Sequence, residues 1–375
     1  MSTWDNFNRL TTLSIVFPDE SAAKSATIFG NGNNQVPVLI KVKITDKSGA
    51  MLDISTDELS SAVALVNYSS GQKLSSPWEV SVTAGDYSTP YGYANSVEAQ
   101  SLDVAEGRTL MLYVSAADVS VTKNSDIAVS LTVPGVGEFN TTAQGTDTKN
   151  SPGGKTGSVF KSPSFIHVQA LAEINYSLSE NVKVNNNPTG FESFNTVVDG
   201  MLVIHNNFSN VDYYNYEGAS SKVTATISPA RDGFKFKRAD MLSSSVNSGF
   251  KLAGGGCDAV WGVSGAHYDT TFIFVNRANY GVLPHNTIHT KCAWEDYYYT
   301  IGSEDGRHHW QEDLSYGVIT VHICNHRTPR DSAYQKGWSD SGKNIRVQVT
   351  DEFGNSGTVS IGVSDESWPT LHVNS

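Results

Sequence analysis

Charge is scarce in this chain. Only 17% of its 375 residues are Asp, Glu, Lys or Arg, below the quarter usual for globular domains, which excludes a coiled coil or a charged disordered tail. Positive charge is scarcer still: 26 Lys and Arg stand against 38 Asp and Glu, for a formal net charge of -12. A main partner made of nucleic acid or anionic membrane requires a cationic footprint, so neither is expected. Cysteine is rare as well. Cys257, Cys292 and Cys324 are odd in number and widely spaced, which reads as free thiols rather than a disulfide framework. No apolar run approaches the roughly 20 residues of a membrane-spanning helix. The opening Met1-Ser2-Thr3-Trp4-Asp5 lacks the cationic start and apolar stretch of a secretory signal. Synthesis in the cytosol is therefore expected, with any release by lysis or another non-classical route.

What the chain has instead is period-2 alternation. Val36, Val38, Ile40, Val42 and Ile44 share one face of an extended segment, with Lys41, Lys43 and Thr45 on the other. The pattern recurs at Ile127, Val129, Leu131 and Val133, at Trp78, Val80 and Val82, and at Ile319, Val321 and Ile323. One-sided alternation marks antiparallel sheets with one face in a core. Turn spellings separate the runs, among them Asp46-Lys47-Ser48-Gly49 and Asp351-Glu352-Phe353-Gly354. One helix is expected, where Ser55-Thr56-Asp57-Glu58 spells a capping box ahead of Leu59, Ala62 and Val63. The fold class is all-β, with two or three antiparallel, immunoglobulin-like sandwich modules and few short helices.

Residues 143–158 hold four glycines and no apolar side chain larger than alanine, the composition of a linker or long exposed loop. All the histidines and cysteines follow it. The expected organisation is an N-terminal sandwich over 1–145, a linker over 146–158 and a larger sandwich over 159–375. Internally, Ile40–Gly49 lines up with Ile345–Gly354, and Ile54 then matches Val359. Both copies resemble the strand, Thr-Asp-x-x-Gly turn and return strand often used by bacterial immunoglobulin-like modules. That resemblance implies one sandwich near each end.

Chemistry-bearing clusters are few. His322, Cys324 and His326 alternate on one strand, so they share a face and form a candidate imidazole and thiolate metal site. His285, His289, His308 or His309 is the candidate fourth donor. Three in-line ligands fit a tetrahedron poorly, and no Cys-x-x-Cys or His-Glu-x-x-His spelling supports them; the plainer account is a polar strand face. Gly154-Lys155-Thr156 lacks the leading glycine of a phosphate loop and reads as linker. Ser264 with His267 lacks the Gly-x-Ser-x-Gly spelling of a nucleophile elbow and reads as loop. Asp46 with Asp53, and Asp351 with Glu352, lack the dense Asp-x-Asp spacing of a calcium loop. No cofactor is expected.

Aromatic clusters remain. Tyr213, Tyr214 and Tyr216, and Trp294 with Tyr297, Tyr298 and Tyr299, interleave rings with polar residues, a composition that suits contact surfaces and stacking on sugar rings. Filling a core is their plainer role. Three functions follow in order of expectation. The first is a non-enzymatic structural or binding subunit that self-associates as a homo-oligomer through sandwich edges and aromatic loops, in a filament, tubule or tail-like assembly. The second is a glycan- or cell-surface-binding protein or toxin component. The third is a metal-dependent hydrolase built on His322, Cys324 and His326.

Overall fold

The structure, a computed structural model, describes residues 3–18, 24–91, 107–147, 159–160, 162–187, 220–242, 259–264, 268–274, 286–291, 296–301, 316–326, 345–363 and 371–374. Among these residues it is an all-β protein with one α-helix. It divides into two units: Met1–Ile174 with Phe353–Asn355, and Asn175–Glu352 with Ser356–Ser375.

The first unit holds β1 (Arg9–Val16), β2 (Ser25–Phe29), β3 (Gln35–Thr45), α1 (Thr56–Ala62), β4 (Val63–Asn67), β5 (Trp78–Ser81), β6 (Arg108–Ala116), β7 (Lys123–Val133), β8 (Gly137–Asn140), β9 (Thr146–Asp147), β10 (Val159–Phe160) and β11 (Ile166–Leu171). One sheet runs β1-β3-β6-β5; the other runs β2-β11-β7-β4, with β8 also on β7. The alternation of β3 turns Val36, Val38, Ile40, Val42 and Ile44 inward, where they meet Ile127, Val129, Leu131 and Val168 of the second sheet in one core. Burying each such side chain contributes about 1.5–3 kcal/mol, which fixes the register of both sheets. The expected capping box forms at α1: Ser55 Oγ accepts from the Glu58 backbone N–H at 3.2 Å, and Glu58 accepts from the Ser55 N–H at 3.1 Å.

Two features depart from expectation. β2 runs parallel to β11, from Ser25 beside His167 to Phe29 beside Leu171. A parallel pair cannot be closed by a hairpin, and here its two strands lie far apart in the chain. Second, the N-terminal unit extends beyond 158. β11 pairs with β7 from Ile166 beside Ile127 to Ala170 beside Lys123, and Ile166, Val168 and Ala170 are buried in the first core. That burial outweighs the glycine-rich composition, so the units divide after Ile174 rather than at the start of a 159–375 domain. Residues 146–147 of the expected linker pair with Val159–Phe160, and 148–158 lie outside the described residues.

The second unit holds β12 (Val182–Asn187), β13 (Ser220–Pro229), β14 (Phe236–Met241), β15 (Ala259–Ser264), β16 (Tyr268–Phe274), β17 (Asn286–Lys291), β18 (Asp296–Ile301), β19 (Ile319–His326), β20 (Ile345–Asp351), β21 (Ser356–Val363) and β22 (Leu371–Asn374). Its sheets are β12-β13-β19-β16-β15 and β14-β20-β21-β22, with β17 and β18 forming a two-stranded ribbon. Ala225, Ile227, Phe274, Ile319 and Val321 of the first are buried, as are Phe236, Val347, Val349, Val359 and Ile361 of the second. The Asn186 side chain ties the two sheets: its Nδ2 donates to the Leu371 carbonyl at 3.0 Å and its Oδ1 accepts from the Leu371 N–H at 2.9 Å. An amide thus reproduces the paired bonds of a neighbouring strand.

The two aligned turns differ in the use of their aspartates. Asp46 Oδ1 accepts from the Ser48 N–H, the Ser48 hydroxyl and the Ala50 N–H of its own turn. Asp351 is fully buried and accepts from the Tyr176 hydroxyl at 2.8 Å. Gly49 and Gly354, at φ of 85° and 81°, take the left-handed conformation both turns require. After the first turn the return strand shrinks to one bridge, Thr45 with Met51; after the second it is the whole of β21.

Candidate interaction surface

β5 follows Pro77, and Pro tends to mark the edge of a sheet because it cannot donate to a ladder. The strand ends its sheet: among the described residues it pairs with β6 alone, with Trp78 beside Ala116, Glu79 beside Ser115, Val80 beside Val114 and Ser81 beside Tyr113. This register places Val80 in the inward-facing row of Val36 and Val114. Those two are fully covered, at 1% and 0% exposure, whereas Val80 is 43% and Val82 62% exposed. Trp78, at the start of the row, still packs against the core. The apolar inner face therefore continues past the cover of the opposing sheet.

Backbone alternation adds an outward ladder edge. The Ala117 N–H donates to the Pro77 carbonyl at 2.9 Å, which makes 77 and 117 a hydrogen-bonded pair. In an antiparallel ladder such pairs alternate, so Glu79 and Ser81 turn their backbone groups to β6. Trp78 and Val80 turn theirs away from it, and the chain bends at Val82, where Ser81 Oγ accepts from the Thr83 N–H at 2.9 Å. Trp78 uses its N–H on the Ser75 carbonyl at 3.0 Å.

The chain after β5 is pinned elsewhere. The Gly85 N–H donates to Gln35 Oε1 at 2.7 Å, and Asn34 Nδ2 donates to the carbonyls of Tyr87 and Thr89 at 2.9 and 3.0 Å. Tyr91 forms a bridge with Thr27. These contacts hold residues 85–91 at the β2–β3 corner. Asn31 is the hub of that corner: its Oδ1 accepts from the Asn33 and Asn34 N–H groups, and its Nδ2 donates to the Phe353 carbonyl and Asn355 Oδ1. The Phe353 ring lies 5.5 Å from Phe29 and 5.6 Å from Tyr91, centroid to centroid.

The residues singled out from sequence fall in the second unit. His322, Cys324 and His326 lie on β19, the central strand of its five-stranded sheet. His322 stands between Thr224 of β13 and Thr271 of β16; Cys324 stands between Lys222 and Asp269; His326 is opposite Ser220. Their side chains lie outside those described, among which no group of three His, Cys, Asp or Glu is placed to hold a metal. Tyr297, Tyr298 and Tyr299 lie on β18, opposite Thr290, His289 and Ile288 of β17. Tyr213, Tyr214, Tyr216 and Trp294 lie outside the described residues, as do His285, His308 and His309. Ser264 was expected in a loop; it ends β15, opposite Asp269.

The perturbed acids of both units have structural causes. Burial first, then the Asp351 charge, pushes the Tyr176 hydroxyl far above its ordinary value, so it stays a donor. Glu352 is raised by burial and by Asp351. Asp46 is lowered chiefly by the Ser48 hydroxyl and Glu58 chiefly by the Ser55 hydroxyl. The alternation of Trp78, Val80 and Val82 alone reads as core; the structure leaves Val80 and Val82 exposed. Among the described residues no helix is long and apolar enough to cross a membrane.

No family model matches the chain, and no curated protein matches it. Among solved structures it is similar to the C-terminal domain of the Streptococcus agalactiae AgI/II polypeptide BspA, at 10% identity and a TM-score of 0.23, over 92% of this chain and 96% of that one.

Proposed function

We propose that the chain is a non-enzymatic structural or binding subunit that self-associates through sandwich edges and aromatic loops, building a filament, tubule or tail-like homo-oligomer. The observation that carries this reading is the uncovered apolar edge at β5, where Val80, on a strand that ends its sheet, and Val82, just past the strand's end, stand 43% and 62% exposed. Such an edge offers both apolar area and backbone groups to a further strand. Tyr213, Tyr214, Tyr216, Trp294 and Tyr297–Tyr299 are the aromatic contacts of the reading. Size-exclusion chromatography with light scattering, from low to high micromolar protein and at low and high salt, tests it. The mass is expected to rise with concentration. It is also expected to rise with salt, because copies at -12 each repel one another. A monodisperse monomer under all conditions removes the reading and leaves a ligand-binding role, in which Tyr297 and Tyr298 contact a glycan or cell-surface group.

A further inference from the structure

We infer that the partner of β5 is β5 of a second copy, paired antiparallel about a two-fold axis that passes between the two Val80 residues. The inference rests on the self-association reading and names its contact.

The register follows from the direction of the Val80 backbone groups and from what each possible pairing sets opposite what. Val80 turns its N–H and carbonyl away from β6, so two copies of Val80 can exchange both bonds in one hydrogen-bonded pair. Centring the pair there sets Glu79 opposite Ser81 of the second copy and brings Val82, just past the end of β5, beside its Trp78. The apolar row thus meets the apolar row, and each carboxylate meets a hydroxyl. Centring the pair on Glu79 sets two carboxylates face to face and presents residues whose backbone groups are already turned to β6. A slip of one residue sets Val80 against Glu79 and turns the row to the wrong face.

The pairing also explains the exposure gradient. The inward row of Val36, Val114 and Val80 continues into Val80, Val114 and Val36 of the second copy, and Val82 gains Trp78 as its neighbour. The result is one eight-stranded sheet, β1-β3-β6-β5 joined to its two-fold mate. The contact is isologous, so it closes as a dimer. Further growth of an assembly requires another surface.

Two variants test this on the full chain. Val80→Cys sets the new thiols across the axis at the roughly 5.5 Å Cα separation of a hydrogen-bonded pair, within the range a disulfide spans. Oxidation is expected to give a dimer linked 80 to 80 in a peptide map, while Ser81→Cys, opposite Glu79, gives none. Val80→Lys sets two cations face to face and is expected to reduce dimerisation at least tenfold with unchanged circular dichroism, since the site is half exposed. Association that survives Val80→Lys, with no 80–80 link, overturns this contact and leaves the broader reading standing. A wild-type chain that never associates overturns both.

Discussion

The hydroxyl of Tyr176 and the carboxylate of Asp351 lie 175 positions apart in the chain and 2.8 Å apart in space, both buried. A charged acceptor in a core needs its donors, and each bond to a charge contributes about 1.5–3 kcal/mol. Tyr176→Phe keeps the ring, which meets Phe236 edge-on at 5.2 Å, and removes only the donor. The variant is expected to lose about 2 kcal/mol in urea unfolding. The pH dependence has a definite sign. The folded phenol is held far above its ordinary value, so its contribution is complete below the unfolded value of about 10 and is lost as pH rises beyond it. Alkaline destabilisation should be shallower in Tyr176→Phe, and equal slopes would count against the assignment.

At the scale of elements, α1 is short and leans on its cap. Ser55 Oγ donates to Glu58 at 2.8 Å and accepts from its N–H, and the Thr3 hydroxyl reaches the same carboxylate at 3.3 Å. Ser55→Ala is expected to cost about 1 kcal/mol, read as a shift in the unfolding midpoint. Glu58 sits below its ordinary range; its support holds above that range and fades as pH falls through the depressed value. This element was legible in the sequence, because four adjacent residues spell the cap. So was β3, whose alternation of five branched residues has one solution. The strand β5 was legible as a strand but not as an edge, since period 2 tells which face a residue takes and not whether anything lies over it. The β2–β11 pair was not legible. Its parallel partner is remote, and no turn chemistry links the two.

The candidate sites divide in the same way. Alternation correctly set His322, Cys324 and His326 along one strand, yet their cross-strand neighbours, Lys222, Asp269 and two threonines, come from β13 and β16. Pairing between strands distant in sequence decides which chemistry meets, and spacing within one strand carries no record of it.

At the scale of the whole molecule, the first unit includes three residues made long after the rest of it. Phe353 packs against Phe29 and Tyr91. Asn355 Oδ1 accepts from Asn31 and from the Ile174 N–H. A chain ended at Ile174 keeps every strand of the unit and loses these groups. Hydrogen exchange is expected to run faster at residues 29–34 in that fragment than in the full protein, with β3 and β7 equally protected in both. Equal protection at the corner would show that Phe353–Asn355 adds nothing to it. The arrangement also sets a clock. A ribosome adding about 5–20 residues per second needs roughly ten to forty seconds to travel from Ile174 to Asn355. For that interval every strand of the first unit exists while its corner at Asn31 still lacks Phe353 and Asn355.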